Sequence, residues 1–395
     1  MQKQLKMDAI GSTQYDKVLS TLLFIYCLAL PFEEALVFSF GGIFKIIGIA
    51  VIGWGIVAHF KATIKLRDLS LILPFVLWFF FSFFSVIWSK DRNWWSYFIK
   101  LYAAQILLVL VITSYQRFIN LEYIKNGVVV GAFIAAGILI FLPSTSVLTA
   151  DGRRTMIIFG NEFDPNILAA IMMIALIITI DRVFQRNRKT LMLLLAAFIL
   201  LGLLLTGSRG GLIATVVGVF TYFMLGVKDQ NIRRKVLLGV PMMVVLVAIV
   251  TTFLPESLIG RFSWKSIFGF DEYNQGSHNR WTIWEYALPL SLNAPLLGYG
   301  CGNFFYAIAT VYRQCASHNL YILLLIEGGI VGLGMFVAGL CRVFKAACKY
   351  KRYATVALLL AVGVISLTLD ATTGKFFWVS LAIAVLTLRK RGESV

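Results

Sequence analysis

Two arginines and one histidine in polar segments could do chemistry, and the first of them is Arg209. It stands in TGSRGG, at the start of an apolar run that predicts a helix. Free backbone N–H groups and the helix dipole favour an anion there, and a guanidinium binds phosphate or carboxylate through paired hydrogen bonds. The glycines, including Gly207 and Gly210, let backbone and ligand approach closely. The segment predicts a diphosphate or carboxylate site; the alternative is an arginine that only snorkels to a membrane surface.

Arg280 and Trp284 form a second candidate pair, in SHNRWTIWEYAL. They lie four residues apart in a short helix that we expect to begin near Ser277, so the cation and the indole share a face. Trp281 and Leu288 extend an apolar face with Trp284, which suits a helix lying on a membrane surface. The alternative is that Arg280 only contacts lipid headgroups.

His318 immediately precedes the apolar run that begins at Leu320. Ser317 and Asn319 flank it and are both suitable helix caps. A neutral imidazole in this place can accept a proton near pH 7, although a histidine at a membrane interface can equally be structural. The chain has three histidines, and they lack the close spacing of a metal site.

Three further charged residues are candidates for contacts or structure. Glu327 falls about 13 Å into a predicted helix, where a carboxylate should face the bundle interior and pair with a base or stay protonated. We favour a structural role for it. Arg153 and Arg154 stand in another polar joint and are candidates for phosphate or glycan contact. Asp164 and Asn166, at the start of the helix predicted from Asn166, are both available to cap it, and we interpret this segment as structural.

The composition identifies the kind of protein that must position these residues. Of 395 residues, 59% are hydrophobic and 14% are charged, whereas soluble proteins carry about 25% charged residues. Apolar runs near twenty residues recur along the chain, and each can cross a bilayer as a helix. We predict twelve spans: Val18–Val37, Ile43–Phe60, Leu69–Trp88, Tyr97–Ser114, Gly127–Leu142, Asn166–Ile180, Leu191–Leu205, Leu212–Leu225, Val236–Phe253, Leu320–Val343, Ala354–Leu369 and Phe376–Leu388.

The joints between these spans alternate in charge, which predicts their orientation. Basic joints are cytoplasmic, so both termini are expected in the cytoplasm, and the net charge of +17 reflects topology and lipid contact rather than nucleic acid. The expected fold is all-α: one integral membrane domain over residues 1–395, with a large outer loop over 254–318 between the ninth and tenth helices. That loop should carry short helices, because it is rich in Trp, Tyr, Phe and Gly at regular intervals.

Two of the five cysteines, Cys301 and Cys315, fall in this outer loop. In an oxidising space they could form a disulfide, and the alternative is two unpaired thiols. No pair of cysteines in the chain has the C-x-x-C spacing of a zinc or redox site.

Four segments together resemble one family: FGNEFDPNILA, TGSRGG, NRWTIWEYALPLSLNAPLLGYGCGNF and SHNLYILLLIEGGIVG. Their combination resembles the O-antigen ligase and polysaccharide polymerase superfamily, with motifs over Phe159–Gly334 and the topology over the whole chain. The resemblance implies glycan transfer from an undecaprenyl diphosphate carrier on the outer face of the bacterial cytoplasmic membrane. It also implies an inverting, metal-independent mechanism that needs no cofactor.

The resemblance also assigns roles to residues. Arg209 and Arg280 would bind the diphosphate and stabilise it as it leaves, and His318 would take the proton of the acceptor hydroxyl. No carboxylate cluster suited to a metal is evident in the sequence, so the two arginines are the available counter-charge. The candidate substrate-binding residues are Trp284, Asn319, Arg153, Arg154, Gly207 and Gly210.

Three other classes of protein are alternatives. A lipid-linked oligosaccharide flippase would need polar residues along a transmembrane path, whereas the polar residues here are confined to one side. A cell-wall glycan polymerase of the shape and division type uses an acidic residue where this chain has His318. A non-catalytic scaffold would be insensitive to changes at Arg280 or His318. Within the superfamily we favour a polymerase over a ligase acting on lipid A-core, because the loop has no extra basic cluster for that phosphorylated acceptor.

Overall fold

The structure is a computed structural model that describes residues 17–33, 42–59, 69–116, 118–142, 146–148, 153–158, 161–185, 189–227 and 280–388. Its helices are α1 Lys17–Phe32, α2 Ile43–His59, α3 Leu73–Phe84, α4 Arg92–Ser114, α5 Leu121–Phe141, α6 Pro165–Gln185, α7 Lys189–Leu205, α8 Arg209–Gly226, α9 Arg280–Leu290, α10 Phe304–Ala309, α11 Leu320–Lys349, α12 Tyr353–Ile365 and α13 Lys375–Thr387. The last turn of α1, Leu30–Phe32, and the turn after α3, Ser85–Ile87, are 3-10 helices.

The helical membrane character predicted from the apolar runs is confirmed. Eleven of the twelve predicted spans overlap helices, and the ninth, Val236–Phe253, lies outside the described residues. Five helices, α4, α5, α6, α8 and α11, are long and apolar enough to cross a membrane, and six further apolar helices are shorter. The number of spans and the extent of the outer loop stay predictions.

A small antiparallel sheet departs from the all-α expectation. Its strands are β1 Ser146–Leu148, β2 Arg154–Ile158 and β3 Asn161–Glu162, in the order β1-β2-β3. β2 reads RTMII, in which the β-branched residues suit a strand, but so short a run between polar residues gives little periodic signal. The hydroxyl of Thr155 donates to the carbonyl of Phe163, so the sheet is joined directly to the start of α6.

Helices α8 and α11 begin at capping side chains. The Ser208 hydroxyl accepts a hydrogen bond from the Gly211 N–H at 3.2 Å at the start of α8. The Asn319 side chain accepts from the N–H groups of Tyr321 at 2.9 Å and Ile322 at 3.2 Å at the start of α11. These bonds satisfy N–H groups that have no partner within the helix. The predicted capping role of Asn319 is confirmed.

Helix α11 is interrupted at Gly329, whose φ of 58° and ψ of −162° are not helical. The segment 295–300 lies against this interruption and takes up the backbone groups that it frees. Backbone hydrogen bonds run from Tyr299 to Ile326 at 2.9 Å, from Gly300 to Glu327 at 2.8 Å, from Ile330 to Pro295 at 2.9 Å and from Val331 to Leu296 at 3.2 Å. The pair Gly328-Gly329 therefore admits a loop into the helix.

Glu327 stands beside this interruption and is buried, with 6% of its surface exposed. Its carboxyl group accepts from the Phe304 N–H at 3.3 Å, at the first residue of α10. The neighbouring Asn303 accepts from the Asp91 N–H at 2.7 Å and donates to the Asp91 carbonyl at 3.2 Å. These contacts give Glu327 the structural position that we favoured, since it joins the loop 295–304 to α11.

We expect Gly329→Ala to destabilise the protein by more than about 1 kcal/mol, because the residue needs a left-handed backbone conformation. An added Cβ would also lie 2.3 Å from the Leu296 carbonyl oxygen. Thermal unfolding in detergent measures the effect.

The matched control is Gly334→Ala, five residues further along α11. A Cβ there would meet no atom of the described residues within 4 Å, so we expect unchanged or slightly raised stability. Equal melting temperatures for the two variants would contradict the proposal that the contact between the segment 295–300 and the interruption of α11 stabilises the protein.

Candidate functional site

The starts of α6 and α8 are joined by side chains, and this places Arg209. The Ser208 hydroxyl donates to the Asn166 side-chain oxygen at 3.0 Å, and the Asn166 amide donates to an Asp164 carboxylate oxygen at 2.9 Å. Gly207, with φ of 61°, turns the chain immediately before the cap. Arg209 is therefore the first residue of a helix whose start is held in place, as the TGSRGG segment predicts.

The turn after α12 contacts the starts of both α8 and α11. A Cβ at Gly210 would lie 2.3 Å from the Thr368 hydroxyl oxygen, so this glycine is needed for the close approach of α8. The Leu320 N–H, at the start of α11, donates to the Ser366 carbonyl at 2.9 Å. One turn thus fixes the relative positions of two helix N-termini.

His318 has a left-handed backbone conformation, with φ of 50°. For a residue other than glycine this is strained, and it persists where the surroundings determine it. Both neighbours are held by Asp370, whose carboxylate accepts from the Ser317 hydroxyl and from the Asn319 N–H, the latter at 3.1 Å. The Trp284 indole N–H donates to the Ser317 carbonyl at 2.9 Å. The backbone around His318 is therefore fixed by hydrogen bonds to two elements, the segment after α12 and helix α9.

Arg280 is the first residue of α9, and its guanidinium group is half-buried among other charges. Its pKa is lowered from 12.5 to about 10, mainly by burial and to a smaller extent by the positive charges of Arg153 and Arg209. The carboxylates of Asp164 and Asp370 act in the opposite direction. Arg280 still carries its charge at pH 7, since that pH lies well below the pKa. Three guanidinium groups and two carboxylates thus meet at one place.

Most of the same charges also act on the imidazole of His318. Burial lowers its pKa below the ordinary 6.5, and Arg280 and Arg153 act in the same direction. Asp370 and Asp164 raise the pKa but do not reverse the shift. His318 is therefore mainly neutral at pH 7 and able to accept a proton. We call Arg153, Arg209, Arg280, His318, Asp164 and Asp370 the polar cluster.

With this geometry in place, the chain can be compared with known proteins. Residues 193–337 match the family model described as Wzy_C, O-antigen ligase. This match spans 145 of the 395 residues and supports membership of the O-antigen ligase and polymerase superfamily. The matched region contains Arg209, Arg280 and His318.

Two other comparisons add little. A search of the curated proteins gives no match. A solved structure, "Structural coordination of polymerization and crosslinking by a peptidoglycan synthase complex", aligns at a TM-score of 0.49 and 16% identity over 82% of this chain and 98% of that one. A similarity at this level carries no argument about function.

Four residues predicted from the sequence come together: Arg153, Arg209, Arg280 and His318. The other predicted residues have supporting positions. Trp284 and Asn319 bond to the turn that holds His318, and Gly207 and Gly210 shape the start of α8. Arg154 makes a different contact: its guanidinium group donates to the Leu139 carbonyl of α5 at 2.9 Å.

Asp370 was not predicted as a site residue from the sequence, and Asp164 was interpreted only as part of the start of α6. The cap is present, because the Asp164 carboxylate accepts from the Asn166 N–H at 2.7 Å. Neither carboxylate has a local spacing to His318 that would indicate their proximity, since the contacts depend on how α6, α11 and α12 pack.

The two loop cysteines are free thiols in the structure, Cys301 buried and Cys315 partly buried. Cys301 packs in the main hydrophobic core, whereas Cys315 packs against a separate cluster around α9 and α10. Within the described residues, no group of three or more His, Cys, Asp or Glu side chains is placed to hold a metal ion.

We expect Asp370→Asn to lower the pKa of His318 further, because it removes the carboxylate that most raises that pKa. The asparagine oxygen can still accept from Ser317 and Asn319, so the backbone is expected to stay in place. The rate of His318 modification by diethyl pyrocarbonate against pH, followed by mass spectrometry, reports the neutral imidazole. The midpoint should lie below pH 6.5 in the unmodified sequence and lower still in the variant.

Glu285→Gln is the matched control, since it removes the same charge from an exposed position on α9. It should leave the midpoint unchanged. A midpoint that rises in Asp370→Asn would contradict the arrangement of charges described above.

Proposed function

We propose that this protein is a polysaccharide polymerase that transfers a glycan from an undecaprenyl diphosphate-linked donor to an acceptor sugar hydroxyl. It would act in surface polysaccharide synthesis on the outer face of the bacterial cytoplasmic membrane. The observation that carries the proposal is the meeting of three arginines with a neutral histidine in a member of this superfamily. The polar cluster offers both a place for a diphosphate and a proton acceptor.

The diphosphate would be bound by Arg209 and Arg280. Breaking the bond between the anomeric carbon and the diphosphate oxygen leaves an additional negative charge on the carrier, which must be stabilised as it forms. Two guanidinium groups and the N-terminus of α8 provide fixed positive charge for this purpose. Arg153 adds a third cation at the same place. In this proposal the guanidinium groups replace a metal ion.

His318 would take the proton from the acceptor hydroxyl. The acceptor oxygen forms the new bond to the anomeric carbon while the diphosphate leaves from the opposite side, so the configuration inverts. The hydroxyl proton passes to the imidazole and the electron pair of the broken bond stays on the carrier diphosphate. The lowered pKa of His318 supports this role, because only the neutral imidazole can accept the proton.

The positions of the helix ends support an outer-face site. The polar cluster lies at the starts of α6, α8 and α11 and at the turn after α12, so these ends share one side of the bundle. The joints on this side include the acidic ones, whereas basic joints connect the opposite ends. By the positive-inside rule this side is the outer face, and the basic joints and both termini are cytoplasmic.

Ligation to lipid A-core is the second candidate, and the description of the matching family as O-antigen ligase favours it. Both reactions use the same donor chemistry and differ in the acceptor. We favour polymerisation, because the outer loop lacks an extra basic cluster for a phosphorylated lipid A-core. A flippase ranks lower, since the polar cluster is confined to one end of the helices.

The first test is transfer by purified protein supplied with an undecaprenyl diphosphate-linked repeat unit and EDTA. We expect a ladder of products from this substrate alone, and a loss of about 10²- to 10⁴-fold in rate for His318→Ala, the size expected for removal of a general base. Gel electrophoresis of the products, with and without lipid A-core, gives the measurement.

His59→Ala, at the end of α2, is the histidine control and should keep the ladder. Product that appears only with lipid A-core would identify a ligase. Equal rates for His318→Ala and the control would exclude His318 as the base.

Replacement of the two arginines by lysine tests the diphosphate site. Lysine keeps the charge but loses the paired hydrogen bonds, so we expect Arg209→Lys and Arg280→Lys each to lower kcat by about 10²-fold, as for loss of one stabilising donor. Arg313→Lys, at an exposed loop position, is the control. Full activity in both site variants would show that the diphosphate binds elsewhere.

A further inference from the structure

A second cleft opens on the same side of the molecule as the polar cluster. It has a volume of about 810 Å³ and lies between α1, α2, α4, α6 and α13. Asp164 belongs both to this cleft and to the polar cluster, so the two adjoin. Arg209, Arg280 and His318 do not line the cleft.

The five helices present their charged and apolar residues in the same order. Glu33, Lys45, Asp164 and Lys375 lie in or next to the helix ends that face the polar cluster, and Lys100 lies about 12 Å along α4 from its start at Arg92. Apolar residues follow deeper along the same helices, including Leu30, Ile49, Leu108, Ile171 and Phe376. The apolar part of α6 extends about 10 Å inward from Asp164. A ligand with a charged head and an apolar chain fits this order.

The charge at the head of the cleft comes mainly from lysine. Lys375 is paired with Glu33, and its ammonium group lies 4.8 Å from the centre of the Phe44 ring. Lys45 and Lys100 are exposed and form no ion pair with any residue that the structure describes. Their positive charge is therefore available to an anionic headgroup.

We propose that this cleft binds the carrier lipid of the acceptor, with its isoprenoid chain between the apolar walls and its diphosphate at Lys45, Lys100 and Lys375. The inference rests on the proposed polymerase. Polymerisation joins two carrier-linked glycans, so it requires places for two diphosphates. Arg209 and Arg280 serve the donor, whose bond to the diphosphate breaks beside His318. The lysines form a second, separate set of cations, and a single-chain isoprenoid suits one narrow apolar cleft.

The test uses two analogues that separate the substrates. The donor-only analogue is a carrier-linked repeat whose accepting hydroxyl is methylated, and the acceptor-only analogue carries a methylene group in place of the anomeric oxygen. We expect the double variant Lys45→Gln/Lys100→Gln to raise KM for the acceptor-only analogue about tenfold and to leave KM for the donor-only analogue unchanged. Lys189→Gln, an exposed lysine at the start of α7, is the control and should change neither.

A binding measurement makes the test independent of turnover. In the His318→Ala background, the acceptor-only analogue should bind the lysine variant about tenfold more weakly, by native mass spectrometry in detergent. Phosphatidylglycerol should compete poorly, because it lacks the diphosphate. Equal competition would show a groove filled by bulk lipid and would overturn the proposal.

The possible failures are distinguishable. A rise in the donor KM instead of the acceptor KM would assign the cleft to the donor and overturn the inference. A ladder from the unmodified protein with an unchanged acceptor KM in the lysine variant would refute the cleft alone. Product that forms only with lipid A-core would refute the polymerase function. It would also refute the binding of an acceptor's carrier lipid in the cleft, which rests on that function.

Discussion

The repulsion among three half-buried guanidinium groups is the constraint on which the site depends. Arg153, Arg209 and Arg280 each add positive charge where burial already disfavours charge, and the lowered pKa of Arg280 reflects both effects. Asp164 and Asp370 offset part of this repulsion. An anionic ligand would offset the rest of the repulsion, so the arrangement is electrostatically more favourable with an anion bound than without one. Burial, together with the positive charges of Arg280 and Arg153, lowers the pKa of His318.

The carboxylates have a second role, because each also holds the backbone. Asp164 bonds to the start of α6, and Asp370 bonds to both neighbours of His318. The charges that balance the arginines are thus attached to the elements that carry the site. A movement of either element would alter the electrostatics and the geometry together, so the positions of His318 and of the arginines are coupled. The loop 295–304, held in the interruption of α11, positions the neighbouring α9 and α10 by backbone bonds that do not involve the polar cluster.

Much of the molecule could be predicted from local properties of the sequence. The apolar runs indicated the helices because burial in lipid requires long apolar segments whose backbone groups bond internally. The start of α8 at Arg209 and the cap at Asn319 follow from residue preferences within one helical turn. The sheet was missed because strands of two to five residues carry too little periodicity. Arg154 was grouped with Arg153 by adjacency, yet successive side chains of an extended segment point to opposite faces.

The sequence by itself determined the helical membrane character, the positions of the helix starts and the kinds of side chain available for chemistry. These properties depend on hydropathy and on contacts within a few residues. Only the tertiary structure decided that Arg153, Arg209, Arg280 and His318 meet, that Asp370 completes their surroundings, and that the Gly-Gly pair of α11 admits a loop. Those outcomes depend on the packing of helices far apart in the chain, and no local pattern specifies which helix ends become neighbours.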